Sequence, residues 1–339
     1  PYEGVIEGAG GREDITVRLK VEVKGSDINV DFTGTSLQVD WGGNVVYNFT
    51  YAYCFMAIKS SMDPDIPVNE GSTRPVKVVA PEGTVVNCKF PAAVAARMQI
   101  GHFMTEMVFR ALAPAMPDKV IAPCGGTPAH TYIFYGQRHD GAPWLTNVIG
   151  GGGMGASSKR DGHHCAIFPA NGANTPVEIF ESDTPLLVLE RQLITDSGGA
   201  GRMRGGLGRT FIVKVPDDDF APRPPVVVAV QGGRYKYPAE GLFGGKAGAR
   251  SKFLINGEPG DPSGLTFCKP GDVIGFYAPG GGGFGDPLER DPEIVRRDVL
   301  FGYVSLEKAR EDYGVVIDPE TYEVDYRATE ELRGKRRSR

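Results

Sequence analysis

Ile15-Thr16-Val17-Arg18-Leu19-Lys20-Val21-Glu22-Val23-Lys24-Gly25-Ser26-Asp27-Ile28-Asn29-Val30-Asp31-Phe32 alternates apolar and polar residues on either side of Lys24-Gly25-Ser26-Asp27. A period of two is the signature of half-buried strands, and a glycine-centred break between two such runs is a tight turn, so this stretch predicts a β-hairpin. Beyond it, Asn44 to Ser60 is almost continuously apolar or aromatic without Gly or Pro, which favours a buried helix over a strand. From Met98 to Met116, Ile100, Phe103, Met104, Met107, Val108 and Leu112 recur at helical spacing and predict a second buried helix. His102, set within that apolar pattern, reads as a hydrogen-bonded core or interface histidine.

From Thr131 to Val230 short β-rich runs, such as Tyr132 to Tyr135 and Leu186 to Ile194, alternate with glycine clusters, and this half is expected to be mostly sheet. A strand at Val273 to Ala278 runs into Pro279-Gly280-Gly281-Gly282-Gly283. Asp291-Pro292 then supplies an N-cap and a first-turn proline for a new helix, and a further helix from Ser305 to Tyr313 stops at Gly314. No repeat of fixed period is visible. The expected fold is therefore α+β: a β-rich mixed domain with antiparallel sheets and two buried helices over residues 1–287, and a C-terminal helical appendage over 288–339. With 47 Gly and 26 Pro among 339 residues, long helical bundles are excluded.

The net charge of -5 gives no general attraction for nucleic acid or anionic lipid, and no apolar run reaches the length of a membrane span. The basic run Lys335-Arg336-Arg337-Ser338-Arg339 reads as a solvated tail. Five cysteines, Cys54, Cys88, Cys124, Cys165 and Cys268, are widely spaced and form no CxxC pair, so neither a disulfide framework nor a structural zinc site is expected, and a reducing cytoplasm is the expected setting. Pro1 stands where translation would place Met, from which processing, cleavage or truncation is expected, with something missing upstream.

Three glycine-rich segments, Gly150 to Gly155, Ser197 to Gly208 and Gly280 to Gly285, invite a phosphate-loop reading that none satisfies. A Walker A loop needs Gly-x-x-x-x-Gly-Lys and then a hydroxyl, whereas the nearest approach, Gly244-Gly245-Lys246-Ala247, has Glu240 and Ala247 at the critical places. Tight turns and close backbone approach explain such clusters better. Asp161-Gly162-His163-His164-Cys165 gathers several ligand types, but adjacent residues of an extended segment point to opposite faces, so no metal ligand is assigned in this chain. The absence of a Gly-x-Ser-x-Gly elbow argues against a serine hydrolase. Two polar constellations remain, Asn69-Glu70-Gly71-Ser72-Thr73-Arg74-Pro75 and Asn171 to Glu178, each combining carboxylate, amide and turn residues.

Read in order, Val30-Asp31-Phe32-Thr33-Gly34-Thr35-Ser36, Asn69-Glu70-Gly71, Arg74-Pro75, Pro81-Glu82-Gly83-Thr84, Asn174-Thr175-Pro176-Val177-Glu178, Asp196-Ser197-Gly198-Gly199-Ala200-Gly201, Arg204-Gly205-Gly206-Leu207-Gly208, Pro279 to Pro287, Gly302-Tyr303-Val304-Ser305 and Tyr313-Gly314-Val315 resemble the hydantoinase B, or 5-oxoprolinase B-part, family over nearly the whole chain. The resemblance implies a component of an ATP-dependent hydrolase of cyclic amides such as hydantoin, 5-oxoproline or another lactam. It equally admits a subunit of a ketone carboxylase for acetone or acetophenone, and a non-catalytic scaffold of such a complex is a third reading. It implies an actin-like hydantoinase A type subunit carrying ATP and Mg. A divalent metal, Zn or Mn, is then expected in Gly-Gly-Thr-His and His-His-Ala-Asp type segments outside this chain, borne by a chain with the N-terminal part of the hydantoinase B type polypeptide. On the same resemblance, Asp31, Glu70 and Arg74 are the candidate catalytic residues and Thr33, Asn69 and Asn174 the candidate substrate contacts, with the glycine loops expected at subunit contacts or beside the site.

Overall fold

The computed structural model describes residues 1–8 and 12–337. The predicted hairpin is present as β2 (Ile15–Lys24) and β3 (Asp27–Asp31), paired Lys24 to Asp27 across a two-residue turn in which Gly25 takes φ +61. That left-handed backbone is what glycine permits and the hairpin twist requires. Strand β1 (Tyr2–Ile6) adds antiparallel to β2, and β4 (Val76–Val79) adds parallel to β3 after the crossover through α1 (Tyr47–Met62) and α2 (Glu70–Thr73). Ile15, Val17 and Leu19 of β2, with Ile28 and Val30 of β3, face a core shared with Cys54, Phe55 and Ile58 of α1.

The second predicted helix is interrupted at His102, giving α3 (Met98–Gly101) and α4 (Phe103–Leu112). It ends earlier than its apolar pattern because Pro114 and Pro117 have no amide to continue the ladder. Gly101 is where α3 meets α1: a Cβ there would lie 2.2 Å from the Phe49 ring. Nearly all of α4 is buried.

Two antiparallel sheets form a sandwich. One contains β5 (His130–Gln137), β6 (Pro143–Gly150), β9 (Arg223–Gln231) and β12 (Leu265–Cys268) in the order β12-β9-β5-β6. In the other, β7 (Leu187–Glu190), β8 (Thr210–Lys214), β10 (Lys252–Ile255), β11 (Glu258–Pro259) and β13 (Val273–Tyr277) are ordered β11-β10-β13-β8-β7. Between them lies an aromatic core in which the Tyr132 and Phe276 rings stack at 4.0 Å and Phe134 meets Phe276 edge-on at 5.7 Å. The α+β class with antiparallel sheets is thus the observed one, the parallel β3–β4 pair being its exception.

Residues 151–209 depart from the mostly-sheet expectation. They contain one short helix, α5 (Val177–Asp183), and β7; the rest is extended glycine-rich backbone. These segments pack against one another without side chains between them. A Cβ on Gly280 would lie 1.6 Å from the Ser197 carbonyl oxygen, on Gly155 1.7 Å from that of Ala122, and on Gly153 1.8 Å from that of Gly206. Lateral hydrogen bonds tie the runs together: Gly153 N donates to Pro279 O at 2.8 Å, Gly206 N to Met154 O at 2.8 Å, Gly281 N to Gly206 O at 3.0 Å and Gly199 N to Gly281 O at 2.8 Å. The glycine segments, expected at subunit contacts or beside the site, are buried within this chain.

The tail consists of α6 (Pro292–Leu300), α7 (Leu306–Tyr313) and α8 (Tyr326–Arg337). Asp291 and Ser305 cap the first two, and Gly314 at φ +63 ends the second, as their sequences predict. Val295, Val299, Ala309 and Tyr313 form a small core with Ala200. Below it, buried Arg290 binds both oxygens of Asp161 at 2.7 Å each and Asp298 at 2.7 Å, and Arg204 Nε reaches Asp298 at 3.4 Å. The basic run is helical at its start, with Lys335 and Arg337 exposed to solvent as expected and Arg336 donating to Glu311 O; Arg333, just before the run, docks the helix by donating to Tyr313 O and Arg290 O at 3.0 and 2.7 Å. Carbonyls at the end of α7 attract cations, which sequence order alone does not reveal. Ser338 and Arg339 lie outside the described residues. No helix among those described is long and apolar enough to cross a membrane.

Two stability outcomes follow for chemical denaturation. Gly280→Ala is expected to cost about 3 kcal/mol or more, because the clashing atom is backbone and cannot rotate away, whereas Gly257→Ala, with nothing within 4 Å of its new Cβ, costs only the strain of its φ of +85, about 1 kcal/mol. Asp298→Ala leaves two buried guanidinium groups short of a partner and is expected to cost about 3 kcal/mol. Equal midpoints for the two glycine variants would refute the backbone-packing account.

Candidate functional site

The N-terminal sheet and the sandwich meet at the loop after β9. Arg234 takes φ +70 there and buries its guanidinium, which donates to the Glu106 carboxylate, to Thr127 O at 2.9 Å and to Cys124 O at 3.1 Å, over the Phe103 ring at 4.7 Å. Glu7, just past β1, accepts the amides of Tyr235 at 3.1 Å and Lys236 at 2.6 Å. Asp14 accepts Lys236 Nζ at 2.5 Å and Tyr237 Oη at 2.6 Å, and those bonds hold its carboxyl below the usual carboxylate range.

These clamps leave a cleft of about 640 Å³ between the halves, walled by Trp41, Gln99, Gln231, Tyr235 and Leu265 among others. Its carboxylates, Glu7 and Asp14, are both engaged, so neither is a ready general base. The side-chain amides of Gln99 and Gln231 make no hydrogen bond among the described residues, and amide groups beside an indole suit a small polar ring better than an ion.

The six residues singled out by sequence do not converge. Asp31 ends β3 and accepts the Thr33 amide at 2.9 Å and hydroxyl at 2.7 Å; both line a groove of about 500 Å³ with Tyr2 and Arg18. Asn69 caps α2 in a reciprocal capping box with Ser72, and Glu70 and Arg74 are exposed. Since Ile28 pairs with Val76 and Asp31 with Val79 in the parallel ladder, these two groups stand at opposite ends of the same strand pair. The three residue steps between those pairs alone put them on the order of 10 Å apart. Asn174 belongs elsewhere: its side-chain amide donates to Cys165 O at 3.0 Å and accepts Gly151 N at 3.4 Å, bracing the glycine segments.

A family profile described as hydantoinase B/oxoprolinase matches residues 2–287. The chain belongs to the hydantoinase B/oxoprolinase family. It is 34% identical over 328 residues to an uncharacterised protein of Methanocaldococcus jannaschii, covering 94% of this chain and 56% of that protein. To the B component of a putative D-/L-hydantoinase of Pseudomonas sp. it is 33% identical over 338 residues, with coverage of 95% and 55%. To the beta component of the caprolactamase of Pseudomonas jessenii it is 29% identical over 340 residues, with coverage of 94% and 57%. The crystal structure of the ATP-dependent caprolactamase from Pseudomonas jessenii superposes with a TM-score of 0.81 at 26% identity, over 98% of this chain and 60% of that one. A nucleotide-free acetone carboxylase shares the fold, with a TM-score of 0.79 at 22% identity over 96% of this chain and 49% of that one. This hydantoinase B family chain therefore spans about half the length of the curated relatives it matches.

Within that family frame, Asp161 and His164 of the Asp161 to Cys165 cluster are committed to structural hydrogen bonds. Asp161 is saturated by Arg290 and the Arg204 amide, and His164 Nδ1 accepts Leu207 N at 2.9 Å. Among the described residues no group of three or more His, Cys, Asp and Glu could hold a metal ion. Burial pushes the Cys54, Cys124, Cys165 and Cys268 thiols up, Cys124 to about 12 and Cys268 to about 11, so none of the four is a thiolate near neutrality. Sequence reading missed Arg234, Arg290 and Asp298. Glu106 carried a usable signal, a carboxylate on an otherwise apolar helix; Arg234 follows Gly232-Gly233 and Arg290 closes a short turn after Pro287, and their partners Glu106 and Asp161 lie 128 and 129 residues away in the chain.

The buried histidines give a pH signature. His102, as predicted, is a core residue whose Nδ1 accepts Ala129 N at 3.3 Å. Burial, and then Arg97, lowers its pKa from 6.5 to about 4; burial lowers that of His130 to about 4 as well, with Arg209 and Arg234 adding to the effect against the opposing Gly233 hydrogen bond. Between about 4 and 6.5 the unfolded chain binds more protons than the folded one, so stability is whole above about 6.5 and is lost as the pH falls through that window. Urea unfolding at pH 5 is expected to show about 2 kcal/mol less stability per histidine than at pH 7. His102→Gln should remove about half of that dependence, His130 supplying the rest, and a wild-type midpoint unchanged between pH 7 and pH 5 would contradict it.

Proposed function

We propose that this chain is a component of an ATP-dependent cyclic amide hydrolase, supplying the walls of the substrate site and not the reacting groups. The observation that carries the reading is the cleft between the two halves: amide and aromatic side chains line it while both of its carboxylates are committed to structure. Relatives named as components of a hydantoinase and a caprolactamase make a lactam or hydantoin ring the natural occupant.

The chemistry divides the labour. An unstrained amide resists water because resonance stabilises its carbonyl, and phosphorylation of the amide oxygen turns that oxygen into a leaving group. ATP and Mg are assigned to an actin-like hydantoinase A type subunit. Zn or Mn is assigned to a chain with the N-terminal part of the hydantoinase B type polypeptide, because the described residues of this chain offer no cluster that fits such an ion. In the assembly, Gln99 and Gln231 would bind the ring's N–H and C=O, Trp41 and Leu265 would cover its methylenes, and the closed cleft would keep bulk water from the activated amide. Asp31 with Thr33, and Asn69 with Glu70 and Arg74, are proposed to meet the assembly at two separate places, since they flank opposite ends of the β3–β4 pair. Asn174 is proposed to reach substrate only through the backbone it braces.

The second reading, a ketone carboxylase, draws on the fold shared with acetone carboxylase. The decisive measurement is ADP release by the purified native assembly offered hydantoin, 5-oxoproline and caprolactam, then acetone or acetophenone with and without bicarbonate. Lactam-dependent release without bicarbonate is expected, with Gln231→Leu raising KM for the lactam about tenfold, the worth of one or two lost hydrogen bonds. Release that requires both ketone and bicarbonate would transfer the chain to the carboxylases. Release indifferent to Gln231→Leu, Trp41→Ala, Glu70→Ala and Arg74→Ala would leave it a scaffold.

A further inference from the structure

The sheet β12-β9-β5-β6 turns one face to the aromatic core, through Tyr132, Phe134, Val148, Val226 and Val228 among others. Alternation along each strand sends the residues between them to the opposite face. There Phe267, Val227, Tyr135 and Leu145 stand side by side across all four strands, and Leu265, Ala229 and Ile133 form the next row, ending at Asn147. Leu145 is 72% exposed, Phe267 66% and Leu265 55%, so nothing in the described chain covers them.

A solvated sheet face in the same chain looks different. On the N-terminal sheet the outward positions are Arg18, Lys20, Glu22, Asn29 and Lys77, alternating with the core residues Val17, Leu19, Val30 and Val78. That is the pattern of an antiparallel sheet with one face in water. The sandwich sheet loses it: Val226-Val227-Val228-Ala229-Val230 and Tyr132-Ile133-Phe134-Tyr135 are continuous apolar runs, the pattern of strands buried on both faces. Rows of Phe and Leu in water gain nothing for a fold whose core already lies on the other side, and a contiguous face of this kind marks an interaction surface.

The relatives indicate what lies on it. This chain accounts for only 55% to 57% of the three it was compared with, so each carries a further stretch of polypeptide not much shorter than this one and long enough to form a layer of its own. The apolar face also runs into the cleft between the halves, because Ala229 and Leu265 belong to both. A layer placed on the sheet therefore reaches the rim of the cleft.

We propose that the outer face of this sheet, from Phe267 and Leu265 across to Leu145, is the docking surface for the part of the hydantoinase B type polypeptide that this chain does not span, whether continuous with it or separate. The surface holds whichever reaction the assembly performs; only its bearing on the cleft rests on the reading proposed for that site.

The test places a photoreactive benzophenone amino acid at position 145 or 267 of the full chain within the purified native assembly and sequences the adducts. Adducts at both positions are expected on peptides of hydantoinase B type sequence lying outside these 339 residues. Leu145→Glu combined with Phe267→Glu should loosen that contact about a hundredfold, roughly tenfold for each charge buried there, read as faster limited proteolysis of the same peptides. Both side chains face solvent in this chain, so neither substitution disturbs its own core. Adducts only on a second copy of this chain, only on the ATP-carrying subunit, or at neither position would overturn the proposal, as would an unchanged proteolysis rate in the double variant. Adducts as expected, together with ADP release indifferent to Gln231→Leu, would uphold the docking surface and remove the cleft reading alone.

Discussion

The constraint on which the rest of the molecule depends is the approach of backbone to backbone at distances no side chain allows. Runs around residues 122–126, 150–165, 197–208, 239–249 and 278–285 lie against one another, and at more than a dozen glycines a Cβ would fall less than 2.5 Å from a backbone atom of the next run. The lateral N–H to O=C bonds substitute for a hydrophobic core, since each buried amide must find a partner and here finds it on a neighbouring strand of glycine. Such packing contributes little apolar burial, and glycine loses more chain entropy on ordering than any other residue. The region is therefore held from outside, by the sandwich on one side and the helical tail on the other.

Buried ion pairs perform that holding. Arg234 with Glu106 joins the loop after β9 to α4, and Arg290 with Asp161 and Asp298 joins the tail to the glycine segments. Buried pairs of this kind add little net stability compared with apolar packing, but losing one member is severe, so they specify where elements dock more than they strengthen the docking. Their guanidinium groups also donate to backbone carbonyls, Thr127 and Cys124 for Arg234 and Arg202 for Arg290, which ties loops lacking side-chain contacts of their own.

What could be read from sequence divides along the same line. The β2–β3 hairpin, the caps of α6 and α7 and the core role of His102 were legible because their causes are local: period-two alternation, an Asp-Pro start, a glycine stop, an apolar helical face. The irregular stretch between β6 and β8 and the docking of α8 were not, because their partners lie 40 or more residues away, as Gly206 is bound to Met154 and Arg333 to Arg290. Motif order located the family but not the site. It set Asp31 and Asn69 side by side as candidates, and the parallel pairing of β3 with β4 separates them, a relation visible only once strand direction is known.

Function follows from how charge has been spent. In the cleft, Glu7 and Asp14 stabilise the junction between the halves, and the histidines nearest to it, His102 and His130, are buried and neutral. Groups so committed form part of the cleft wall, where their hydrogen bonds join the loop after β9 to the N-terminal sheet. On the proposed function, such a cleft would position a ring and exclude water, with activation and proton transfer supplied by groups of other chains. That division would follow from joining the two halves through carboxylates, Glu7 and Asp14, that line the cleft itself.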